Sequence, residues 1–435
     1  MFAESLAPWL QRKGIHYAWI VMITGFLTML ISSAALGLPG AFLRPLSREF
    51  SWSTSEISSA LAIRFALFGL LGPFAATLME RYGLRRIVCM ALLLIAAGLL
   101  LATRMRALWQ LFVLWGLVLG IGSGLTALVL GATIANRWFD RRRGLVLGIL
   151  TASSATGQLI FLPLAATLIQ HYGWRVAVAP IVAGCLAVAG LAFCLLRDRP
   201  QQLGLAPFGA DRQAETQSPV AWRPDFIEPL RVLTTASRNS TFWVLCGTFF
   251  VCGLSTSGLI QTHFISMCGD YGLAAIPAAS VLAMIGAFDF VGTIGSGWLS
   301  DRFDNRKLLF WYYGLRGLAL LWLPNSDFSL YGLSLFAMFY GLDWVATVPP
   351  TVKLASAAFD KQRGAMIFGW IFAFHQLGSA TAAYGAGLTR TVLLTYSPAV
   401  YAAGAACLIA ALAIFLVPRP ARNAAALGSG VLAER

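Results

Sequence analysis

Long apolar stretches recur along the whole chain, and they constrain its fold more than any other feature. Each is about 20 residues or longer, which is enough for a helix to cross a hydrocarbon core of roughly 30 Å. Hydrophobic residues make up 58% of the 435 positions and charged residues only 11%, against about 25% charged in soluble domains. No water-soluble fold covers that much apolar surface, so the sequence predicts an all-α membrane protein.

Short polar loops separate twelve such stretches. We predict spans at about 17–43, 54–79, 84–102, 107–136, 144–170, 175–196, 241–267, 275–299, 307–324, 329–352, 364–389 and 397–417. The start of the second span carries a signal of its own, because Ser53 and Glu56 have the spacing of a capping box.

Basic residues lie mainly in the loops that twelve spans would place on one side of the membrane. The formal net charge is +14, and lysines and arginines gathered on one side of a bilayer mark that side as cytoplasmic. An even number of spans leaves both termini there. This predicts a multi-pass protein of the cell (inner) membrane with cytoplasmic termini. A nucleic-acid-binding protein would instead gather its basic residues on one face of a soluble domain, so no nucleic-acid partner is expected.

Two loop sequences repeat at one spacing along the chain. Residues 80–86 read ERYGLRR and residues 301–307 read DRFDNRK, an offset of about 221. An Arg-Gly pair at 143–144 returns at 363–364, an offset of about 220. Two independent loops that share one offset indicate a duplicated unit of six helices.

The longest polar stretch is rich in proline and lies between the two repeats. We therefore predict an N-terminal six-helix bundle at 1–196, a cytoplasmic linker at 197–240, a C-terminal six-helix bundle at 241–417 and a cytoplasmic tail at 418–435.

The segment at 297–307, GWLSDRFDNRK, resembles the signature loop of the major facilitator superfamily. That loop has a glycine, then an acid-base pair, then a basic pair, and residues 80–86 resemble a weaker copy with glutamate for the usual aspartate. The resemblance implies two six-helix bundles around a central cavity that opens alternately to each side. An acid at the end of one helix can cap the next helix and hold an arginine, which would latch the bundles on the cytoplasmic side. The predicted gating residues are Glu80, Arg81, Arg85, Asp301, Arg302 and Arg306.

A second resemblance is narrower. The sequence WFDRRRGLVLG at 138–148 resembles the fifth-span signature of the monocarboxylate transporter family, and HYAWIV at 16–21 resembles the start of its first span. In that family an aspartate in span eight takes the coupling proton, and Asp289 matches it. The family's arginine one turn later is replaced here by Thr293, and residues 38–40 lack the first-span lysine of the animal members.

Ionisable groups at bilayer depth cost about 2.5–3.5 kcal/mol each on insertion scales, and they usually mark a path or an ion pair. Arg64, nearly halfway through span two, is a candidate anion anchor or else a structural or gating arginine. Arg316 and Asp343 lie at similar depth in neighbouring spans, which favours a structural ion pair over a substrate role. Asp289 is the best candidate for reversible protonation. The alternative for Asp289 is a permanent pair with Arg316.

Three polar residues in the second half complete the predicted binding set. His263 in span seven and the pair His375 and Gln376 in span eleven can hydrogen-bond a polar ligand, or serve only as contacts between helices. The predicted substrate-binding residues are Arg64, His263, Asp289, His375 and Gln376. The histidines lie on separate helices without metal-ligand spacing, so neither a metal nor a cofactor is expected.

Together these patterns favour a monomeric secondary transporter that moves a small organic anion with a proton. One alternative is export of hydrophobic or drug-like compounds by the same fold, although span five lacks the glycine-and-proline pattern of drug exporters. Another alternative is a membrane sensor without flux, which would need a soluble domain larger than the central linker. A membrane enzyme is disfavoured because no nucleophile-base set is evident.

Overall fold

The structure is a computed structural model that describes residues 2–210, 226–359 and 364–418. Residues 211–225 of the predicted linker, Arg363 of the repeated Arg-Gly pair and the predicted tail from residue 419 lie outside the described residues. The boundaries of the predicted linker and tail stay predictions.

Twelve long helical segments account for most of the described chain, as the apolar stretches predict. They are α1 (Ala18–Phe50), α2 (Thr54–Tyr82), α3 (Leu84–Ala102), α4 (Leu108–Trp138), α5 (Arg143–Tyr172), α6 (Trp174–Leu195), α7 (Ser240–Asp270), α8 (Ala275–Ser300), α9 (Asn305–Trp322), α10 (Leu330–Ala358), α11 (Gly364–Leu393) and α12 (Ser397–Leu416). Among the described residues, nine of them are long and apolar enough to cross a membrane, and α5, α9 and α11 complete the twelve-helix layout.

The helices pack in pairs that repeat between the two halves. Within the first half α2 packs on α4 and α3 on α6, and within the second half α8 packs on α10 and α9 on α12. The halves meet where α2 packs on α11 and where α5 packs on α8. In each of these contacts the second helix of one half packs on the fifth helix of the other half. The prediction of an all-α membrane protein made of two six-helix bundles is therefore confirmed.

Four of the long segments are interrupted near mid-membrane. In α1 the helix is interrupted at Leu38, and Pro39 opens the segment that follows. In α7 a π-helical stretch at Leu254–Gln261 replaces regular turns. The breaks in α4 at Thr126 and in α10 just before Val348–Ala358 occupy equivalent places in the repeat. Such interruptions free backbone groups that side chains can then bind.

Local sequence explains where α2 begins. Ser53 Oγ accepts the Glu56 backbone N–H at 3.2 Å, and the Ser53 N–H donates to Glu56 Oε2 at 2.7 Å. The predicted capping box is confirmed, and it satisfies backbone groups that the first helical turn leaves without partners.

Two helices outside the spans are not predicted by the apolar pattern. The first, Phe2–Arg12, buries Ala3, Ala7 and Leu10 on one face. The second, Glu228–Ala236, lies in the predicted linker, and its Pro229 carbonyl accepts the Trp370 indole N–H at 2.8 Å. Both are short and amphipathic, so a search for long apolar stretches passes over them.

We name the two ends of the bundle by the parts of the chain that lie at each of them. The terminal end holds the N-terminus and the loops after α2 and α8, and the distal end is opposite. The buried apolar residues form two clusters. The larger one reaches from Met79 and Leu84 at the terminal end to Phe42 and Trp174 at the distal end, and the smaller one joins α7, α9, α10, α11 and α12.

Candidate functional site

Arg64 is a buried cation in the first half. It belongs to α2, and only 1% of the residue is exposed. Nη1 donates to the Ala35 carbonyl at 3.5 Å and Nη2 to the Leu36 carbonyl at 3.1 Å, both in α1 just before its break. Pro39 has no N–H to donate to Ala35 O, which leaves that carbonyl free to accept from Arg64. Among the described residues no carboxylate pairs with this guanidinium, and its Nε has no partner.

Asp289 is a buried carboxyl group in the second half. It lies between α8 and α10 and is 6% exposed. Its Oδ1 accepts from Thr293 Oγ1 at 2.8 Å and from the Val345 backbone N–H at 2.9 Å. Val345 belongs to the interruption of α10, where that N–H is available to a side chain. Within the described ranges no cation lies at ion-pair distance from Asp289, and Arg316 bonds to other groups.

Arg316 and Asp343 are joined by a short ion pair. Arg316 Nε donates to Asp343 Oδ2 at 2.7 Å, and both side chains are almost fully buried. The rest of the guanidinium donates to the Trp344 carbonyl at 3.2 Å and to Cys252 Sγ at 3.0 Å. These contacts tie α9 to the interruption of α10 and to α7. The pair is therefore held from several sides, and its structural role stays a prediction.

The polar residues of α7 and α11 are separated along the membrane normal. His263 lies toward the distal end, where its Nε2 is 2.9 Å from the Ala383 carbonyl and its ring contacts Tyr396. His375 lies nearer the middle, with its ring centroid 4.9 Å from that of Phe249. Its Nδ1 is 3.2 Å from Gln376 Nε2. Each histidine thus has one ring nitrogen at hydrogen-bonding distance from a neighbour, and His263 Nδ1 is buried without a partner among the described residues.

Gln376 lies at the contact between the halves. A Cβ at Gly69 of α2 would be 2.5 Å from Gln376 Cβ, so the glycine lets α2 and α11 approach at this depth. Gln376 is 4% exposed, and its Oε1 has no partner among the described residues. A buried acceptor without a donor is costly, and this one borders the first half.

The five predicted binding residues therefore occupy different interfaces. Arg64 belongs to the α1–α2 contact, Asp289 to α8–α10, Gln376 to α2–α11, and the two histidines to α7–α11. Two cavities are described, one of about 730 Å³ on the face of α3 and α6 and one of about 190 Å³ at the distal end. None of the five predicted binding residues lines either cavity.

The acids of the two repeated loops pair in equivalent ways. Glu80, at the end of α2, binds Arg137 of α4 and also Arg199, the latter at 3.0 Å. Asp301, just after α8, binds Lys353 of α10. Each acid thus joins the second helix of its half to the fourth helix of the same half. A latch between the two halves stays a prediction.

The basic residues of the same loops are held mainly by aromatic rings and local acids. Arg81 lies over Phe226, Arg85 over Phe193 and Arg302 over Trp298, with 5.1, 5.5 and 4.1 Å from guanidinium carbon to ring centroid.

Arg306 is buried and pairs with Asp304 at 2.8 Å. The guanidinium holds the pKa of the Asp304 carboxyl below its ordinary value, and the Lys353 ammonium likewise lowers the pKa of Asp301. Both acids are therefore ionised near neutral pH, so these pairs persist under physiological conditions.

An ion-pair cluster at the distal end was missed by sequence reasoning. Asp270 at the end of α7 binds Arg44 of α1 at 2.8 Å and Arg390 of α11 at 2.7 Å. Nearby, the Ser55 N–H donates to Thr391 Oγ1 at 3.1 Å. Hydrogen bonds that join the two halves therefore lie at this end. The sequence does carry a signal for this cluster, because Arg44, Asp270 and Arg390 lie at the ends of spans on the side opposite the basic loops.

Comparison with known proteins gives a consistent picture. The sequence profile described as the Major Facilitator Superfamily matches residues 22–383. An uncharacterized MFS-type transporter of Bacillus subtilis, YcxA, is 24% identical over 87% of this chain and 90% of its own. Monocarboxylate transporter 13 of Bos taurus is 26% identical over 89% and 86%.

A solved structure has a similar fold. It is the crystal structure of a bacterial homolog of the human lysosomal transporter Spinster, in an inward-facing and unoccupied conformation. The two chains superpose with a TM-score of 0.71 over 92% of this chain and 97% of the other, at 16% sequence identity. At that identity the likeness concerns the fold alone.

Proposed function

The chain belongs to the Major Facilitator Superfamily, and from that premise we propose that it moves a small organic anion together with a proton by alternating access. It is a multi-pass membrane transporter for a small molecule rather than an enzyme. The anion, the proton, the monomeric state and the inner-membrane location all belong to the proposal. The name of the bovine relative supports a monocarboxylate-like substrate.

One observation carries the proposal: each half holds a buried charge for which the described residues supply no opposite charge. In the first half it is the Arg64 guanidinium, which bonds only to carbonyls. In the second half it is the Asp289 carboxylate, which bonds to a hydroxyl and an N–H. The other mid-membrane charges, Arg316 and Asp343, neutralise each other. An uncompensated charge at bilayer depth is expensive and usually functional.

A carboxylate substrate and a proton would remove both costs together. The substrate would neutralise Arg64, since a guanidinium binds a carboxylate through two parallel hydrogen bonds. The proton would neutralise Asp289, so the loaded protein would carry no unpaired mid-membrane charge. The empty protein would carry one positive and one negative charge at this depth. The net mid-membrane charge would therefore be zero both with and without the substrate and the proton. In this scheme Gln376 supplies a hydrogen-bonding group at the contact between halves, and His263 and His375 border the path.

The distal ion pairs indicate which side is closed. Asp270 connects both α7 and α11 to Arg44 of α1, so the distal end is held together. We assign the terminal end to the cytoplasm because the basic loops lie there. The structure then corresponds to a protein closed to the outside, and transport requires these pairs to break when the halves rock.

Uptake by proteoliposomes tests the proposal. Purified protein is reconstituted, and uptake of radiolabelled lactate, pyruvate and acetate is followed with the inside alkaline, with no pH gradient, and with a protonophore. We expect uptake to rise with the gradient and to collapse with the protonophore. Asp289→Asn should abolish the dependence on the gradient, and Arg64→Gln should abolish uptake.

Matched controls replace the same residue types in exposed loops. Asp327 and Arg106 are exposed, and Asp327→Asn and Arg106→Gln should behave as wild type. Gradient-driven uptake that is unchanged in Asp289→Asn would refute the proton role. Flux of hydrophobic compounds that ignores Arg64→Gln would favour the exporter alternative. Absence of flux for every compound would favour a sensor.

A further inference from the structure

A groove on the outer face of the first half has features that the transport proposal does not use. It has a volume of about 730 Å³ and is lined by α3 and α6. Its apolar wall includes Met90, Leu93 and Phe193, which are 45%, 50% and 66% exposed. In a membrane-spanning helix, apolar side chains this exposed face hydrocarbon rather than water.

Two arginines close the terminal end of this groove. Arg85 and Arg86 lie in the first turn of α3 and line its mouth. The Arg85 guanidinium lies over the Phe193 ring, and Asp198 accepts the Arg85 backbone N–H at 3.0 Å rather than its side chain. Among the described residues neither guanidinium has a carboxylate partner. The mouth is therefore positively charged.

The length of the groove matches one leaflet of a bilayer. From Arg85 to Ala97 at its far end, α3 rises about 18 Å at 1.5 Å per residue. Half of a hydrocarbon core of roughly 30 Å is about 15 Å. A molecule that fills this groove has an apolar portion as long as a single leaflet and a polar portion level with the two arginines.

We propose that this groove is a binding site for a phospholipid with an anionic headgroup. The acyl chains lie along Met90, Leu93 and Ala97, and the headgroup phosphate binds Arg85 and Arg86. Guanidinium groups suit phosphate because their donors match its oxygens in pairs. Basic pockets between helices on the cytoplasmic side are the usual place for such headgroups. This site is independent of the anion path and of its substrate.

Native mass spectrometry of the purified full chain tests the site. The protein is equilibrated with equimolar phosphatidylglycerol and phosphatidylcholine that carry the same acyl chains, and retained lipids are counted. We expect wild type to retain several-fold more phosphatidylglycerol. The double variant Arg85→Gln/Arg86→Gln should lose that excess. Equal retention of the two lipids by wild type, or an unchanged excess in the double variant, would overturn the proposal.

Two further variants and one competitor distinguish lipid binding at this groove from a general effect of positive charge and from misfolding. Arg302→Gln removes an exposed arginine from the equivalent loop of the second half, and the excess should stay as in wild type. Ala97→Trp fills the deep end at an exposed position and should reduce the excess while both arginines remain. Excess glycerol 3-phosphate should not displace the lipid. Displacement would assign the arginines to a soluble phosphate ester and overturn the lipid assignment, as would an unchanged excess in Ala97→Trp.

Discussion

Arg44 and Asp270 belong to different halves of the bundle and form an ion pair of 2.8 Å at its distal end. Arg390 shares the same carboxylate, with hydrogen bonds of 2.7 and 3.1 Å. Asp270 therefore joins three helices, α1, α7 and α11, at this end, and Arg44 also donates to the Ser266 carbonyl of α7 at 3.0 Å. The pairs are partly exposed, since the Arg44 and Asp270 side chains are 36% and 23% accessible. Salt and water can therefore compete for them.

The first prediction concerns opening at this end. Asp270→Asn removes the shared charge, so the distal end should open more often. Cys268 lies two residues earlier in α7 and is 0% exposed, which makes it a reporter. We expect a membrane-impermeant maleimide applied to the distal side to label Cys268 several-fold faster in Asp270→Asn. High ionic strength should speed labelling of wild type and leave the variant unchanged.

Asp327→Asn is the matched control for this experiment, because Asp327 is also a distal acid but is exposed and accepts the Ser329 backbone N–H in its own loop. It should label at the wild-type rate. Equal labelling of Asp270→Asn and wild type would contradict a role for the ion pair in holding the distal end closed.

Sequence reasoning located the helices well because their signal is local. A run of apolar residues has to cross hydrocarbon wherever it lies in the chain, and the capping box at Ser53 and Glu56 concerns neighbouring residues. Contacts across the bundle are different. Asp270 and Arg44 are 226 residues apart, and nothing in either local sequence specifies the other. The same limit applied to Glu80, whose pairing with Arg137 depends on how α2 and α4 pack.

The interruptions of the helices explain why the candidate site was only partially predicted. Charge and depth were enough to single out Arg64 and Asp289. Their bonding partners are backbone groups that the interruptions of α1 and α10 make available. Pro39 gives a local hint for α1. Pro349 and Pro350 give a similar hint for α10, because they have no N–H to donate to the carbonyls of Val345 and Ala346.

The second prediction concerns the buried pair of Arg316 and Asp343. Asp343→Asn leaves the Arg316 charge buried without its counter-ion, and we expect a loss of about 3–5 kcal/mol of stability. Thermal unfolding in detergent should show a marked fall in the melting temperature. The double variant Arg316→Met/Asp343→Leu removes both charges and should recover most of that loss.

Transport by the double variant then decides what the pair does. A structural pair predicts that the recovered protein still transports. Recovered stability without uptake would show that Arg316 or Asp343 takes part in substrate or proton binding. A double variant no more stable than Asp343→Asn would contradict the account of an uncompensated charge.

The third prediction compares the two repeated loops. Glu80 holds two cations and its side chain is 25% accessible, whereas Asp301 holds one lysine and is 66% accessible. Exposed pairs contribute little because water screens them. Glu80→Gln should therefore lower stability by about 1 kcal/mol, and Asp301→Asn should lower it by less. Thermal unfolding of both variants side by side checks the order, and the reverse order would contradict it.

The last prediction uses two glycines one turn apart in α2. A Cβ at Gly69 would lie 2.5 Å from Gln376 Cβ and 3.1 Å from the Ala373 carbonyl, whereas a Cβ at Gly72 would meet nothing within 4 Å. Gly69→Ala must push α2 away from α11, and overpacking of this kind costs about 1–3 kcal/mol. Gly72→Ala should instead stabilise the helix by about 0.5–1 kcal/mol. Thermal unfolding measures both, and uptake should fall only in Gly69→Ala, since Gln376 is displaced there. Similar behaviour of the two variants would mean that close approach of α2 and α11 at this depth is not required.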